Sequence, residues 1–267
     1  MEFTLRDLQY SILTILIEIK KICEKHKLRY ILYGGSCLGA VRNKGFIHWD
    51  DDADIAMPRE DYEKLIQLCK DGELGNDFFL QDFSNEEPHY YSPWIRIRKN
   101  NTLCVIRYHK NDGFRHLGVF VDIFPFDYCS TTEQATIERQ YKKYLKAQRD
   151  FANKVAYKTR TIKSKLLRIC LLPKSKTKLL KQRDCAAKGL TDLNNKKCIL
   201  DFNSAYGIKK AIFPADLFDE LIECTFEKNV FFIPKKYDTM LTIMYGDYMK
   251  LPPVEKRVAH MPEKIKL

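Results

Sequence analysis

The chain has 267 residues, 45% of them hydrophobic and 12% aromatic, and a formal net charge of +11 at pH 7. This composition is typical of a globular protein that buries a sizeable core in one large domain or slightly more, and it excludes a disordered chain. The nine cysteines form no C-x-x-C pair and follow no signal peptide, so they predict reduced, mostly buried thiols of a cytoplasmic protein, not a disulfide framework or a zinc site.

The first predicted element is an amphipathic helix at the N-terminus. Leu5, Ile12 and Ile19 belong to a set of apolar residues at helical spacing, and Thr4 with Asp7 resembles a capping box. Charged residues interrupt the apolar run well short of the roughly 20 residues that a membrane span needs. No transmembrane segment is therefore predicted.

A strand, a glycine turn and a second strand are predicted next. Residues 30–33 indicate a short strand, and Gly34, Gly35 and Ser36 form a predicted turn that leads into a short helix. The stretch DADIAMP alternates like a strand that Pro58 ends, and REDYEKLIQLCK has helical spacing. Further strands are predicted in PWIRIRK, TLCVIRYH, GVFVDIFPF and CTFEKNVFFIP. These elements predict an α/β (α+β) fold, a mixed sheet flanked by helices.

The positive charge is concentrated in one segment. Residues 139–197 hold 19 Lys and Arg against three acidic residues, so the remainder of the chain is net negative. The segment predicts two or three helices with a break near Leu172 and Pro173. A solvated helical face is one explanation, and attraction to anionic lipids or to nucleic acid is the other. The apolar residues within SKLLRICLLP favour a membrane surface.

Four aspartates are crowded into GFIHWDDDADIAMP. On an extended strand, Asp50, Asp52 and Asp54 would project to one side, where like charges repel unless a cation lies between them. Carboxylates are hard oxygen ligands that suit Mg²⁺ or Mn²⁺, and these ions in turn suit phosphate. The glycine turn upstream offers backbone N–H groups and a hydroxyl for phosphate oxygens. Asp122, in an otherwise apolar strand, is costly to bury without a partner such as a metal.

A solvated acidic turn and a calcium-binding EF-hand loop are the alternatives for the same stretch. The EF-hand requires Gly at position six and Glu at position twelve, where this sequence has Ile55 and Asp61. Pro58 inside the loop also argues against it. A DxD motif taken alone would leave the acidic turn open, and the glycine turn upstream favours the metal and phosphate interpretation.

This combination of a Gly-Ser turn, a DxD strand and a third acid resembles the nucleotidyltransferase fold. The blocks YGGSCLGAVRNKGFIHWDDDADIAMPREDY, GVFVDIFPFD and FIPKKYDTMLTIMYGDYMKLPP resemble the LicD family of phosphocholine transferases, which includes the fukutin-related polyol-phosphate transferases. One departure is Gly35-Ser36-Cys37, where many relatives have a Gly-Thr-Leu type sequence. The resemblance implies a nucleotidyltransferase-like core in residues 1–135, a basic helical insert in residues 136–200, and a C-terminal part in residues 201–267 that completes the catalytic domain.

The resemblance also implies an enzyme that transfers phosphocholine or a similar phospho-alcohol from a CDP-activated donor to a sugar hydroxyl, with release of CMP. Asp52, Asp54 and Asp122 are the expected catalytic residues, and Asp50 joins them as a ligand of Mg²⁺ or Mn²⁺. Asp122 either completes the metal site or accepts the acceptor's proton. An NTP-dependent nucleotidyltransferase that releases pyrophosphate is one alternative, and a non-enzymatic module that binds Ca²⁺ or nucleic acid is the other.

Contacts to the donor are expected from glycine backbone, a hydroxyl and basic side chains: Gly34, Gly35, Ser36, Arg42, Lys44, Arg96 and Arg98. Taken singly, each of the four basic residues is more often a surface charge. Tyr90, Tyr91 and Trp94 form an aromatic group that could hold a quaternary ammonium, although such clusters more often fill a core.

The expected partners are CDP-choline or another CDP-alcohol and a glycan acceptor. The resemblance and the positive charge together suggest that this acceptor is a lipid-linked precursor of capsule, teichoic acid or lipopolysaccharide. No nucleic acid partner is expected. The expected location is cytoplasmic, with peripheral contact to the inner face of the plasma membrane. The sequence leaves the donor alcohol open among choline, ribitol, glycerol and ethanolamine.

Overall fold

The computed structural model describes residues 3–83, 89–106, 112–158, 161–259 and 261–267. The helices in these ranges are α1 (Leu5–His26), α2 (Gly34–Asn43), α3 (Arg59–Lys70), α4 (Gln134–Val155), α5 (Ile162–Cys170), α6 (Lys176–Ala187) and α7 (Tyr237–Tyr245). The strands are β1 (Ile31–Tyr33), β2 (Asp54–Pro58), β3 (Phe78–Gln81), β4 (Ile95–Lys99), β5 (Leu103–Val105), β6 (Phe120–Cys129), β7 (Cys198–Leu200), β8 (Ile212–Pro214), β9 (Leu221–Phe226), β10 (Asn229–Pro234) and β11 (Lys264–Lys266).

A mixed sheet of seven strands forms the centre of the fold. Its main order is β1-β2-β6-β4-β3, and β7 pairs with the far end of β6 and then with β8. Strands β2 and β6 run parallel, whereas the other pairs of this sheet in the described ranges are antiparallel. The ten-residue strand β6 is long enough to pair with β2 and β4 first and with β7 afterwards. The predicted α+β fold with a mixed sheet is confirmed.

Helix α1 closes one side of the core, as its apolar spacing predicts. Leu8, Ile12 and Ile19 are fully buried, and each such side chain contributes roughly 1.5–3 kcal/mol by leaving water. The predicted capping box is present, because Thr4 and Asp7 bond each other's backbone N–H groups. Six of the nine cysteines are buried, which agrees with the prediction of mostly buried thiols. None of the helices in the described ranges is long and apolar enough to cross a membrane.

The basic segment forms three helices that leave the sheet after β6 and return at β7. The predicted break is confirmed, since α5 ends at Cys170 and α6 begins at Lys176. The helices pack through a small apolar cluster of their own, in which Phe151, Leu171 and Leu179 are buried. Strand β7 lies inside the range 136–200 that the sequence assigned to the insert, because its three apolar residues are too short a signal to be recognised as a strand.

Two strand predictions differ from the structure. CTFEKNVFFIP is not one strand: β9 and β10 form a hairpin whose turn residues, Glu227 and Lys228, both have positive φ. This turn geometry favours Asn and Gly, so two charged residues gave no turn signal. The strand in TLCVIRYH is limited to Leu103–Val105, and residues 107–109 of that prediction lie outside the described residues.

Candidate active site

The register of the sheet brings polar side chains into one row. Tyr33 of β1 pairs with Asp54 of β2, Asp54 pairs with Asp122 of β6, and Asp122 pairs with Arg96 of β4. Residues directly opposite one another on neighbouring strands project to the same face of a sheet. Two carboxylates and a guanidinium therefore meet at one level of the sheet.

A cavity of about 660 Å³ opens over this row. Its wall contains Asp50, Asp52, Asp54 and Asp122, so the structure brings together the four aspartates that the sequence singled out as metal ligands. Asp50 and Asp52 belong to the non-helical segment that enters β2, and their carboxyl groups hydrogen-bond to each other.

The first turn of α2 forms another part of the same wall. Gly34 has a φ of +58°, which favours glycine, and a Cβ atom on it would lie 3.2 Å from Asp54 Oδ2. A Cβ atom on Gly35 would lie 2.7 Å from Asp50 Oδ2, closer than real Cβ atoms approach an oxygen. The two glycines therefore let the carboxylates approach the backbone at the positive end of the helix dipole.

Ser36 anchors β2 to this turn. The backbone N–H of Asp54 donates to Ser36 Oγ at 2.9 Å, and the serine side chain is buried. The hydroxyl predicted to contact phosphate thus fixes the start of the acidic strand, and Ser36 is not among the residues that line the cavity. Its position explains why a hydroxyl residue follows the two glycines.

Burial and mutual repulsion raise the pKa values of the clustered carboxyls. Burial is the larger cause for Asp50, whose pKa rises to about 8, and the charges of Asp52 and Asp51 add to it. Solvent reaches the Asp52 side chain through the cavity. Its pKa nevertheless rises to about 6, first because the cavity walls surround the carboxyl group and then because of the negative charges of Asp51 and Asp122. The pKa of Asp54 lies well above its usual range, first because of burial and then because of Asp52 and Asp122.

Arg96 and Arg98 lie beside the cavity without lining it. Arg96 Nε donates to Asp122 Oδ1 at 2.5 Å and Nη2 donates to Oδ2 at 3.3 Å, so its guanidinium holds both carboxylate oxygens. Arg98 is 1% exposed and donates to Gln81 Oε1 and the Gly118 carbonyl. The structure therefore gives these two arginines contacts within the sheet, and neither reaches the space expected for a diphosphate.

The other two basic candidates differ from each other. Arg42 lines the cavity and donates to the carbonyl of Tyr248 at 3.2 Å. Lys44 ends α2 in a left-handed conformation and does not line the cavity. Of the four basic residues proposed for the donor, Arg42 is the one that the structure places at the wall.

Asp201 is a site residue that the sequence analysis missed. It follows β7 directly, is 1% exposed and lines the cavity, and burial raises its pKa to about 7. Tyr33 Oη donates to its Oδ2 at 3.0 Å, and the Asn203 N–H donates to its Oδ1 at 2.7 Å. The available signal was an acidic residue at the end of the apolar run CIL, but a three-residue strand did not stand out.

Aromatic side chains form the remaining wall. Trp94 packs against Phe124 with ring centroids 4.8 Å apart, and Tyr206 meets Tyr245 edge to face at 5.3 Å. Of the predicted aromatic group, Trp94 lines the cavity, whereas Tyr90 and Tyr91 do not: Tyr90 is buried and donates to the Trp94 carbonyl, and Tyr91 donates to Asp112. The C-terminal block also has a place here, because Tyr245, Asp247, Tyr248 and Lys250 line the cavity.

The donor set fits a hard divalent cation by its chemistry. In the described ranges no three Asp, Glu, His or Cys side chains are already closed around a point as metal ligands. Within the described ranges, no ion pair is formed by Asp50, Asp52 or Asp54, although their carboxyl groups lie close to one another. Asp122, in contrast, forms an ion pair with Arg96. Carboxylate oxygens without a matching cation, in a cavity open to solvent, are the kind of ligand that suits Mg²⁺ or Mn²⁺.

Comparison with known proteins identifies relatives of the chain. The family model described as LicD/FKTN/FKRP, nucleotidyltransferase domain, matches residues 27–164, just over half of the chain. The chain is 29% identical over 262 residues to the lipopolysaccharide cholinephosphotransferase LicD of Haemophilus influenzae, a match that covers 97% of this chain and 96% of that protein. An uncharacterised protein of Rickettsia prowazekii is 34% identical over 58 residues, which are 22% of each chain. The family match contains the aspartates from 50 to 122 and ends before Asp201.

We expect the wild-type protein to lose stability relative to an Asp50→Asn variant as the pH rises. The pKa of Asp50 is about 8 in the folded chain and roughly 4 in the unfolded chain. Between about pH 4 and about pH 8 the folded chain therefore keeps a proton on this carboxyl group that the unfolded chain has released. That contribution to the free energy of unfolding is complete below about pH 4 and is lost as the pH rises towards 8.

Denaturant unfolding at about pH 5 and about pH 8 in metal-free buffer measures this effect. The free energy of unfolding of the Asp50→Asn variant should rise relative to that of the wild type from about pH 5 to about pH 8, because the amide cannot ionise. Asp219→Asn, at an exposed aspartate outside the cavity, is the matched control and should track the wild type. Equal pH dependence of the wild type and Asp50→Asn would contradict the raised pKa.

Proposed function

The chain belongs to the LicD/FKTN/FKRP family and is a transferase of the LicD type; we propose that it transfers phosphocholine from CDP-choline to a sugar hydroxyl of lipopolysaccharide, with release of CMP and with Mg²⁺ as cofactor. The observation that carries the proposal is one cavity in which the acidic cluster, the first turn of α2 and an aromatic wall meet. The choice of choline and lipopolysaccharide is supported by the name of the Haemophilus relative, which is similar to this chain over nearly the full length of both.

The donor's diphosphate fits the wall formed by α2. The first N–H groups of a helix have no partner within the helix, and together with the helix dipole they attract anions. Gly34 and Gly35, which carry no side chain, line the cavity in this turn, and Arg42 adds a cation at the same cavity. These groups can hold the diphosphate beside the acidic cluster.

Asp52, Asp54 and Asp122 would hold the Mg²⁺ ion, with Asp50 beside them. The bound ion would supply charge neutralisation for the diphosphate and for the departing CMP. Arg96 keeps the Asp122 carboxylate in one orientation through two hydrogen bonds. This clamp suits Asp122 for positioning a ligand, because the guanidinium holds both of its oxygens in place.

Asp201 fits the role of proton acceptor better. Asp201 lines the same cavity, and the bonds from Tyr33 Oη and the Asn203 N–H fix the orientation of its carboxylate. In the proposed reaction the sugar oxygen bonds to phosphorus and the bond from phosphorus to the CMP oxygen breaks. The hydroxyl proton passes to the Asp201 carboxylate, whose pKa of about 7 allows it to accept and later release a proton near neutral pH.

The aromatic wall suits the trimethylammonium group of choline. A quaternary ammonium cannot donate hydrogen bonds, so it is recognised by aromatic faces and by nearby negative charge. Trp94 and Phe124 provide aromatic rings beside the carboxylates. The ring of Tyr33 adds to them, with its centroid 5.9 Å from that of Phe124. Ribitol and glycerol carry hydroxyl groups instead, which this apolar part of the wall would leave without partners.

The direct test is product analysis with purified protein. Incubation with CDP-choline, Mg²⁺ and lipopolysaccharide that lacks phosphocholine should release CMP and add phosphocholine to the glycan, and CDP-ribitol and CDP-glycerol should react more slowly. Asp54→Asn should lower the rate by roughly 10³-fold, because phosphoryl transfer depends on charge stabilisation, whereas Asp219→Asn should retain the wild-type rate. Release of pyrophosphate from an NTP, with no reaction of CDP-choline, would replace the proposal with a nucleotidyltransferase.

Asp201→Asn tests the assignment of the proton acceptor. The amide keeps one oxygen for the Asn203 N–H, and its NH2 group can donate to Tyr33 Oη, which can also accept a hydrogen bond. We therefore expect an intact fold and unchanged binding of CDP-choline in calorimetry. The rate of transfer to the sugar should fall by about 10²–10⁴-fold. The wild-type rate should rise near neutral pH as Asp201 ionises, and the rate that remains in the variant should lack this rise. A variant with the wild-type rate and pH profile would exclude Asp201 as the base.

A further inference from the structure

Helix α5 presents an apolar face that nothing in the described chain covers. Ile162, Leu166 and Ile169 are 76%, 59% and 59% exposed, and no residue of this helix is fully buried. Their spacing of four and three residues puts the three side chains on one face of the helix. Leu172, 66% exposed, continues the apolar surface just beyond the helix end. We call Ile162, Leu166, Ile169 and Leu172 the α5 face.

Positive charge surrounds the α5 face. Residues 161–178 contain six basic and no acidic residues. In the described ranges none of these six side chains forms an ion pair, whereas Lys188 and Lys209 nearby in sequence do. Lys163 lies on one flank of the apolar stripe and Lys165 on the other, because they are offset from Ile162 by about 100° and about −60° around the helix. The basic residues therefore frame the stripe.

The opposite side of α5 is anchored to the insert. Leu167 packs against the small cluster that contains Phe151 and Val155 of α4, and Leu171 is buried in it. The capping box of Thr161 and Ser164 fixes the start of the helix. The outward direction of the α5 face is thus set by packing, and the apolar side chains are not exposed by fraying of a helix end.

We propose that the α5 face docks on an anionic lipid bilayer, with Ile162, Leu166 and Ile169 in the interface and the flanking lysines at the headgroups. A helix that combines an apolar stripe with Lys and Arg on its flanks has the pattern of an interfacial membrane helix. Charge complementarity selects the occupant, because the unpaired basic residues attract anionic headgroups while an apolar protein groove would leave their charge unmatched. This inference does not depend on the transferred group and would bring the cavity close to acceptors that carry lipid.

Vesicle flotation with the full chain tests the docking. Wild-type protein should float with vesicles that contain phosphatidylglycerol at about 0.15 M salt and should remain largely unbound with pure phosphatidylcholine vesicles. For the triple variant Ile162→Ser/Leu166→Ser/Ile169→Ser, the fraction bound to these vesicles should be at least about tenfold lower than for the wild type. Val230→Ser, at an exposed apolar residue of β10 outside the insert, is the matched control and should bind like the wild type. Circular dichroism melting confirms that each variant is folded.

Lys163→Gln/Lys165→Gln separates the electrostatic contribution from the apolar one. This variant should bind anionic vesicles more weakly than the wild type, and its binding should depend less steeply on salt. The proposal would be overturned by a wild type that fails to float, by equal binding to neutral vesicles, or by a triple variant that floats like the wild type. It would also be overturned if light scattering showed a wild-type dimer that the triple variant dissociates, because the α5 face would then bind a second copy of the chain.

Discussion

The concentration of like charge on one level of the sheet is the constraint on which the site depends. Parallel pairing of β2 and β6 sets Asp54 beside Asp122, and no change of side-chain rotamer can move these residues to different faces. Arg96 neutralises one of the two carboxylates from the next strand. The remaining charge is accommodated by the backbone of Gly34 and Gly35, and by protonation when no cation is present.

Distant parts of the chain are needed to complete the cavity. The acidic segment and α2 are close in sequence, but Asp201 arrives through β7 and the aromatic residues of the C-terminal block arrive through α7. The basic helices are inserted between β6 and β7. Strand β6 contains Asp122, and β7 ends directly before Asp201. The same pairing of β6 with β7 thus brings Asp201 to the cavity and holds the base of the helical insert, whose outer surface carries the α5 face.

Local sequence signals predicted the elements that carry their own pattern. The helical spacing of α1, the helical character of the insert with its break near Pro173, and the aspartates around β2 were each visible within a short window. Asp201 was not, because its role depends on a pairing between strands separated by 68 residues of insert. The alternation of Arg96 and Arg98 predicted a shared face, but not that this face meets Asp122 inside the sheet. The hairpin at Glu227 was missed because its turn lacks Asn and Gly.

The central claim is that the clustered aspartates hold a divalent cation against the donor's diphosphate. Crystals grown with Mn²⁺ and CDP-choline, measured where manganese scatters anomalously, would locate the ion directly. We expect an anomalous peak within about 2.5 Å of carboxylate oxygens of Asp52, Asp54 or Asp122 and next to the diphosphate. A diphosphate bound in the cavity with no such peak, or manganese bound only elsewhere on the protein, would contradict it.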